Sequence, residues 1–259
     1  MGVFEQKSQI ISEIEHRGYV VIENHLASEM GYYLTSLLET EVNDTTSEPP
    51  YLGFDKCHIH DLLVRYPHML SILDDELLDS VFGYFLGEFW VMYAATSSSI
   101  PPQEQNFASR IHVDSPRLVE GYPLNMGAIW TLTDYSRENG CLEVLPHSHL
   151  SEKVPSLEEF ENNKIEILCK KNALILFNAR LYHRTTPNNA QHWRHAMTMN
   201  ACRSFMKQRL DWVRFFGSDK VAEYSPRLRR ILGFDTRVPA NMDEFSQPEH
   251  LRYYKSNQG

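Results

Sequence analysis

Seven short runs, at 90–98, 109–114, 125–134, 141–145, 165–169, 173–178 and 195–203, carry strand-like patterns and are separated by turn residues. Many short strands in succession predict a double-stranded β-helix, the jelly-roll core shared by cupin-like proteins. Helical signals lie on either side of this stretch. Residues 4–16, 28–41 and 70–88 precede it, with a strand over Gly18-Tyr19-Val20-Val21-Ile22, and 211–216 and 225–232 follow it. In 70–88 the apolar stripe is Leu70, Ile72, Leu73, Leu77, Leu78, Val81 and Phe82, which reads as core. The segment 44–51 carries two prolines and reads as a loop. The expected fold is therefore mainly β with flanking helices. At 259 residues and 42% hydrophobic, the chain can bury a sizeable core, and it lacks repeats and linkers that would divide it. A single domain over 1–259 is expected, with N-terminal helices to about 89, a jelly-roll core over about 90–205 and a helical segment over about 206–259.

Within that core, His112-Val113-Asp114 is followed 69 residues later by His183. Two imidazoles and one carboxylate can hold Fe(II) on one face and leave three positions open. A strand places His112 and Asp114 on the same side, so both can reach one ion from a stiff support. With 12 His and 34 acidic residues, a His-x-Asp triplet also arises by chance, and the similar pair His58-Ile59-His60 is not assigned as ligands. What sets His112 and Asp114 apart is the segment beginning at His183.

That segment has Thr185 two residues after His183, then Pro187-Asn188, then Arg194 eleven after His183. Trp130 lies sixteen residues beyond Asp114, and Glu138-Asn139-Gly140 leads through Cys141-Leu142-Glu143-Val144-Leu145 into Pro146-His147-Ser148-His149. At these residues, between about 90 and 205, the chain resembles the phytanoyl-CoA dioxygenase (PhyH-like) family of Fe(II)/2-oxoglutarate oxygenases. It departs from the family at His147, where Gly is usual, which bears on the path of that loop and not on the triad.

The resemblance implies the same jelly roll and an enzyme in which His112, Asp114 and His183 bind Fe(II), with 2-oxoglutarate and O2 as co-substrates and succinate and CO2 as products. The far carboxylate of 2-oxoglutarate needs a fixed cation in a partly apolar pocket. Arg194 suits this because its planar fork donates two parallel hydrogen bonds and stays charged when desolvated. Thr185 adds a hydroxyl donor. Trp130 is assigned to the pocket wall by resemblance alone. In related halogenases the position of Asp114 is Gly or Ala, so halogenation is disfavoured. Hydroxylation of an unactivated C–H bond is the expected outcome, with cyclisation and desaturation as alternatives that use the same ligands. A non-catalytic metal-binding jelly roll that senses a ligand, or a cupin-like hydrolase or isomerase, would leave Arg194 unexplained.

On the substrate side, Arg110 is two residues before His112 and points to the same strand face, and Arg117, Tyr93 and Asn106 flank the triad. An arginine near iron suits a carboxylate-bearing small molecule, such as an amino acid or a natural-product intermediate. The net charge of −9 argues against a nucleic-acid surface. No apolar run is long enough for a membrane span and the first residues lack a signal-peptide core, so a cytoplasmic monomer or homodimer is expected, with no membrane partner. Cys57, Cys141, Cys169 and Cys202 have no CxxC spacing and suggest neither a zinc site nor a disulfide framework. Asn139-Gly140 reads as a hairpin turn. Arg227, Arg229 and Arg230 read as a solvated helix face, or else as part of a lid closing over an anionic substrate.

Overall fold

The strand-period runs form two antiparallel sheets. The computed structural model describes residues 3–44 and 55–252. Its strands are β1 (Tyr19–Ile22), β2 (Val91–Ser97), β3 (Asn125–Thr131), β4 (Leu142–Val144), β5 (Ile165–Ile167), β6 (Leu174–Asn178), β7 (His183–Thr185) and β8 (Ala196–Cys202). A five-stranded sheet has the order β1-β6-β3-β8-β2, and a three-stranded sheet has the order β5-β4-β7. From β5 to β8 successive strands alternate between the two sheets, as in a jelly roll, whereas β1, β2 and β3 share the larger sheet; the sheets do not close into a barrel.

Alternation along the large sheet builds two cores. Met126, Ala128 and Trp130 of β3, Leu174 and Leu176 of β6, and Met197 and Met199 of β8 pack toward the helices. There they meet Ile10 and Ile14 of α1 (Val3–Arg17) and Leu34 and Leu38 of α2 (Ser28–Asn43). The intervening Ile129, Ile175 and Phe177 pack instead with Leu142, Val144 and Ile167 of the small sheet.

The expected helix over 70–88 is divided. After α3 (Leu62–Arg65), a 3-10 turn over Pro67–Ile72 ends before α4 (Glu76–Leu86). The Asp75 carboxylate accepts from the Leu78 N–H at 2.7 Å and so starts a new helix instead of continuing the old one. The stripe remains core: Leu70, Ile72, Leu73, Leu78, Val81 and Phe82 are buried. The 44–51 loop lies outside the described residues, apart from Asp44, whose N–H caps α2 through Thr40 O.

Three further expectations are corrected. Residues 109–114 do not form a strand: a 3-10 turn over Phe107–Ser109 precedes an extended segment tied to β7 by one isolated bridge. Asn139-Gly140 is a crossover between sheets, not a hairpin, since β3 and β4 are not neighbours. There Asn139 accepts from the Ser136 N–H and donates to Asp134 O, while Gly140 takes φ +90° with Thr186 O close to where a Cβ would stand. The third concerns α7 (Pro226–Leu232), which follows α6 (Trp212–Phe216). Its arginines are engaged rather than solvated: Arg227 pairs with Asp74 and Asp79, Arg230 with Asp79, and Arg229 with Asp235. The two Asp79 contacts tie α7 to α4.

The unanticipated α5 (Leu157–Asn163) carries a readable signal, with Ser156 accepting from the Glu159 N–H and Glu158 and Glu159 in its first turn. His147 has φ +65°, the conformation that glycine favours. It is held there by bonds from its N–H to Arg17 O and from Nδ1 to His16 O at the end of α1. Cys57, Cys141, Cys169 and Cys202 are free thiols, and burial pushes Cys57, Cys169 and Cys202 up to about 12. Among the described residues, no helix is long and apolar enough to cross a membrane.

Candidate metal centre and its cavity

His112 and His183 are joined through their main chains. Each N–H donates to the other's carbonyl, at 3.0 and 2.9 Å, so the extended 110–115 segment runs along β7. The N–H groups of Asp114 and Ser115 both donate to Ala179 O at 2.9 Å, which turns the Asp114 side chain in beside the two rings. One ligand atom from each of His112, Asp114 and His183 lies within 4.8 Å of the other two. His112 Nε2 is 3.6 Å and His183 Nε2 3.9 Å from Asp114 Oδ1.

The environment fixes which ring nitrogens face inward. His112 Nδ1 donates to Arg110 O at 2.7 Å, and His183 Nδ1 donates to Leu181 O at 2.9 Å, leaving both Nε2 lone pairs toward Asp114. Burial holds the His183 imidazole below its usual pKa and the nearby His112 adds to this, against the opposing charge of Asp114. A neutral His183 is the form that binds a metal. Two imidazole lone pairs and a carboxylate oxygen thus converge with no hydrogen between them, and a cation suits that donor set. Asn200 Nδ2 donates to the other Asp114 oxygen at 2.8 Å. Phe177 stands edge-on behind His183 with ring centroids 5.3 Å apart.

The triad lines a cavity of about 540 Å³ together with Thr185, Tyr135 and Ser98. Arg194 is buried beside it, placed by a backbone bridge to Ile100. Its Nη1 donates to Tyr135 Oη at 2.9 Å and to Ser98 O at 3.2 Å, and its Cζ lies 4.7 Å from the Tyr135 ring centre. Nε and Nη2 are buried without a hydrogen-bond partner among the described residues. A buried guanidinium with two free donors is costly unless an anion meets them. Thr185 Oγ1 also donates to Asn106 Oδ1 at 3.4 Å, and Asn106 Nδ2 donates to Ser99 O at 3.0 Å.

The remaining sequence candidates lie elsewhere. Trp130 packs in the helix-facing core, on the side of β3 opposite Ile129. Arg110 is exposed, with its guanidinium 4.9 Å from the ring centre of Phe107, which lines the cavity mouth. Tyr93 sits at a bulge in β2, and its carbonyl accepts from the Arg209 N–H at 3.0 Å. Arg117 lines a separate cleft with Tyr122, Arg180 and Arg203. Conversely, Asp55, His58, His60, Thr198, Asn200 and Arg209 line the triad cavity without having been singled out as site residues. Thr198 and Asn200 were readable as inward positions, because they alternate with Met197 and Met199 in the β8 pattern.

A jelly roll that carries a His, Asp and His cluster beside a buried, partly unpaired arginine defines a protein of the metal-binding cupin-like class. Residues 14–196 match the phytanoyl-CoA dioxygenase (PhyH) family, and the chain belongs to it. Membership places it among the Fe(II)/2-oxoglutarate-dependent oxygenases, which use Fe(II), 2-oxoglutarate and O2. An uncharacterised protein of Mycobacterium tuberculosis is 29% identical over 204 residues, covering 76% of this chain and 75% of that protein. A phytanoyl-CoA dioxygenase domain-containing protein 1 homolog of Dictyostelium discoideum is 34% identical over 110 residues, covering 35% of this chain and 39% of that one. In structure the chain resembles EctD from S. alaskensis, crystallised with 2-oxoglutarate and 5-hydroxyectoine, at a TM-score of 0.66 and 16% identity, covering 85% of this chain and 81% of that one. It also resembles SnoN, a non-heme alpha ketoglutarate dependent epimerase from nogalamycin biosynthesis, at a TM-score of 0.61 and 14% identity, covering 76% and 81%. These two structural likenesses concern the fold.

Proposed function

We propose that the chain is a hydroxylase of the Fe(II)/2-oxoglutarate class, acting on an unactivated C–H bond of a small molecule. His112, Asp114 and His183 hold the iron, and Arg194 with Thr185 holds the far carboxylate of 2-oxoglutarate. The observation that carries this reading is the pair of buried Arg194 donors, Nε and Nη2, that have no partner among the described residues and lie beside a cavity lined by the triad. A carboxylate would satisfy both donors in the bidentate geometry a guanidinium favours.

When bound, iron and 2-oxoglutarate supply an oxidant, with decarboxylation of 2-oxoglutarate to succinate. The chain's own residues position and insulate. The carbonyls of Arg110 and Leu181 aim both Nε2 atoms inward, and Asn200 fixes the Asp114 carboxylate. Tyr135 and Ser98 O hold the Arg194 fork at one end and leave the other free. Ala94, Ile129, Leu142 and Phe177 line the cavity with carbon and limit the water that reaches it. The Asp114 carboxylate takes the place a halide would need, which favours hydroxylation over halogenation.

The test is anaerobic addition of Fe(II) and 2-oxoglutarate to metal-free protein, reading the weak visible charge-transfer band, with Arg194→Ala alongside. A band in the wild type that weakens in the variant supports the reading. Tight metal binding with no band would overturn it and favour a ligand-sensing jelly roll.

A further inference from the structure

Beyond the triad, the mouth of the cavity is walled by Asp55, His58, His60, Phe107 and Arg209. Their charges are unequally answered. Asp55 is engaged twice, accepting from the Cys57 N–H at 2.8 Å and lying 3.1 Å from His58 Nδ1. That second contact orients the His58 ring. Burial, followed by the charge of Arg209, holds His60 below its usual pKa, so it faces the cavity as a neutral hydrogen-bonding ring. Arg209 has its N–H tied to Tyr93 O at 3.0 Å, which roots the residue at the β2 bulge. Its guanidinium has no hydrogen-bond or ion-pair partner among the described residues.

Deeper in, and resting on the function proposed above, a divalent ion with Asp114 and a dianionic co-substrate with Arg194 would leave no net charge. Among the described residues, the only other carboxylate lining the cavity is Asp55, which is hydrogen-bonded to the Cys57 N–H and His58. Among the described residues Arg209, itself exposed, is then the one cation lining the cavity without a hydrogen-bond or ion-pair partner. We infer that Arg209, flanked by His60 and His58, is the substrate-anchoring subsite and that the substrate is a small molecule bearing an anionic oxyacid group, a carboxylate or a phosphate. The guanidinium fork receives the anion at the rim. Phe107, Ala94 and Ala95 face the carbon skeleton, which extends toward the metal centre.

The test uses protein loaded anaerobically with Fe(II) and 2-oxoglutarate. It is titrated with octanoate, N-acetyl-L-leucine and octyl phosphate, each beside its neutral partner: octanamide, N-acetyl-L-leucinamide and octanol. The reading is the shift in the visible band caused by a molecule seated beside the metal. At least one acid is expected to act at about tenfold lower concentration than its neutral partner, the difference expected of one charge-assisted bidentate contact. The carboxylate and phosphate arms show which oxyacid is preferred. Arg209→Gln should abolish the advantage and Arg209→Lys should keep part of it. Equal response to acids and neutral partners, no response to any probe, or an advantage retained in Arg209→Gln would overturn the assignment. Absence of a band before any probe is added would instead overturn the reading of the metal and co-substrate site.

Discussion

The His112 and His183 rings lie with centroids 4.3 Å apart because their main chains exchange two hydrogen bonds, although the residues are 71 positions apart in the sequence. The backbone bonding that brings these rings together does not itself need an ion. Metal-free protein should be folded, and a divalent ion should add stability by mass action, about 2.7 kcal/mol at a hundredfold excess over its dissociation constant. His183→Ala should abolish the rise in melting temperature caused by Fe(II) or Mn(II) while the metal-free protein still unfolds cooperatively. An undiminished rise in that variant would remove His183 from the ligand set.

Asn200 bonds the Asp114 oxygen that faces away from the rings, at 2.8 Å. Outer partners of this kind hold a ligand in its binding orientation, and their loss typically weakens metal affinity about 10–100-fold. Asn200→Ala should show that loss in a Mn(II) titration, with Asn200→Asp doing no better because it places like charge against Asp114. Unchanged affinity in Asn200→Ala would mean that the backbone bonds to Ala179 alone set the carboxylate.

Arg194 tests the difference between a structural and a functional buried charge. Each unsatisfied buried donor costs roughly 1–3 kcal/mol, so a cation with two of them is a poor stabiliser of the empty protein. Arg194→Met removes the charge and fills much of the volume. The melting temperature of the metal-free protein should fall little or rise, while 2-oxoglutarate affinity should drop about a hundredfold or more. A large loss of stability without a change in co-substrate affinity would make Arg194 a scaffold residue.

The pattern of legibility follows from what local signals encode. Strand-like runs revealed seven of the eight described strands or their neighbourhoods, with β3 and β6 buried on both faces and so readable as short, continuous apolar runs. The runs around β3, β4, β5, β6 and β8 needed only trimming at their ends. Residues 109–114 misled because they alternate like a strand yet make one bridge, a distinction set by partners distant in sequence. β7 was unreadable for the converse reason: His183-Arg184-Thr185 has no apolar alternation and becomes a strand only by pairing with β4. The juxtaposition of His112, Asp114 and His183 follows the His-x-Asp and distal His pattern, and Thr185 and Arg194 were picked out by the family resemblance; Thr185 lines the same cavity and Arg194 lies beside it. Trp130 was not separable from core, since its direction depends on which face of β3 meets the helices. The rim residues His58, His60 and Arg209 come from segments whose approach to the cavity is tertiary.

His195 gives the protein a pH dependence of definite sign. Burial, with the charge of Arg194 next, holds its pKa at about 4 against the ordinary 6.5, and Nδ1 lies 2.8 Å from Ser99 Oγ. Between those two values the unfolded chain binds a proton that the folded chain refuses, so stability falls as pH drops through that window. The full effect is up to about 3 kcal/mol, and His183, also held low by burial, acts in the same direction. Melting temperature measured from pH 7 to pH 4.5 on metal-free protein should fall more steeply in the wild type than in His195→Gln. Parallel curves would show that His195 does not drive it.

Gly127 reaches the metal centre without touching it. In β3 it lies opposite Phe177 of β6, and a Cβ there would collide with the Phe177 ring. That ring stands edge-on to His183 and lines the cavity. Gly127→Ala therefore has to displace the Phe177 ring that packs against the imidazole, because β3 is held on both sides by β6 and β8. Overpacking of this kind costs about 1–3 kcal/mol. The variant should melt lower and bind Mn(II) more weakly. Gly127→Ala combined with Phe177→Leu should recover much of both, since the smaller side chain leaves room for the methyl group. Recovery of stability without metal affinity would show that the Phe177 ring itself positions His183, and an unaltered Gly127→Ala protein would show that the ring can move without disturbing the site.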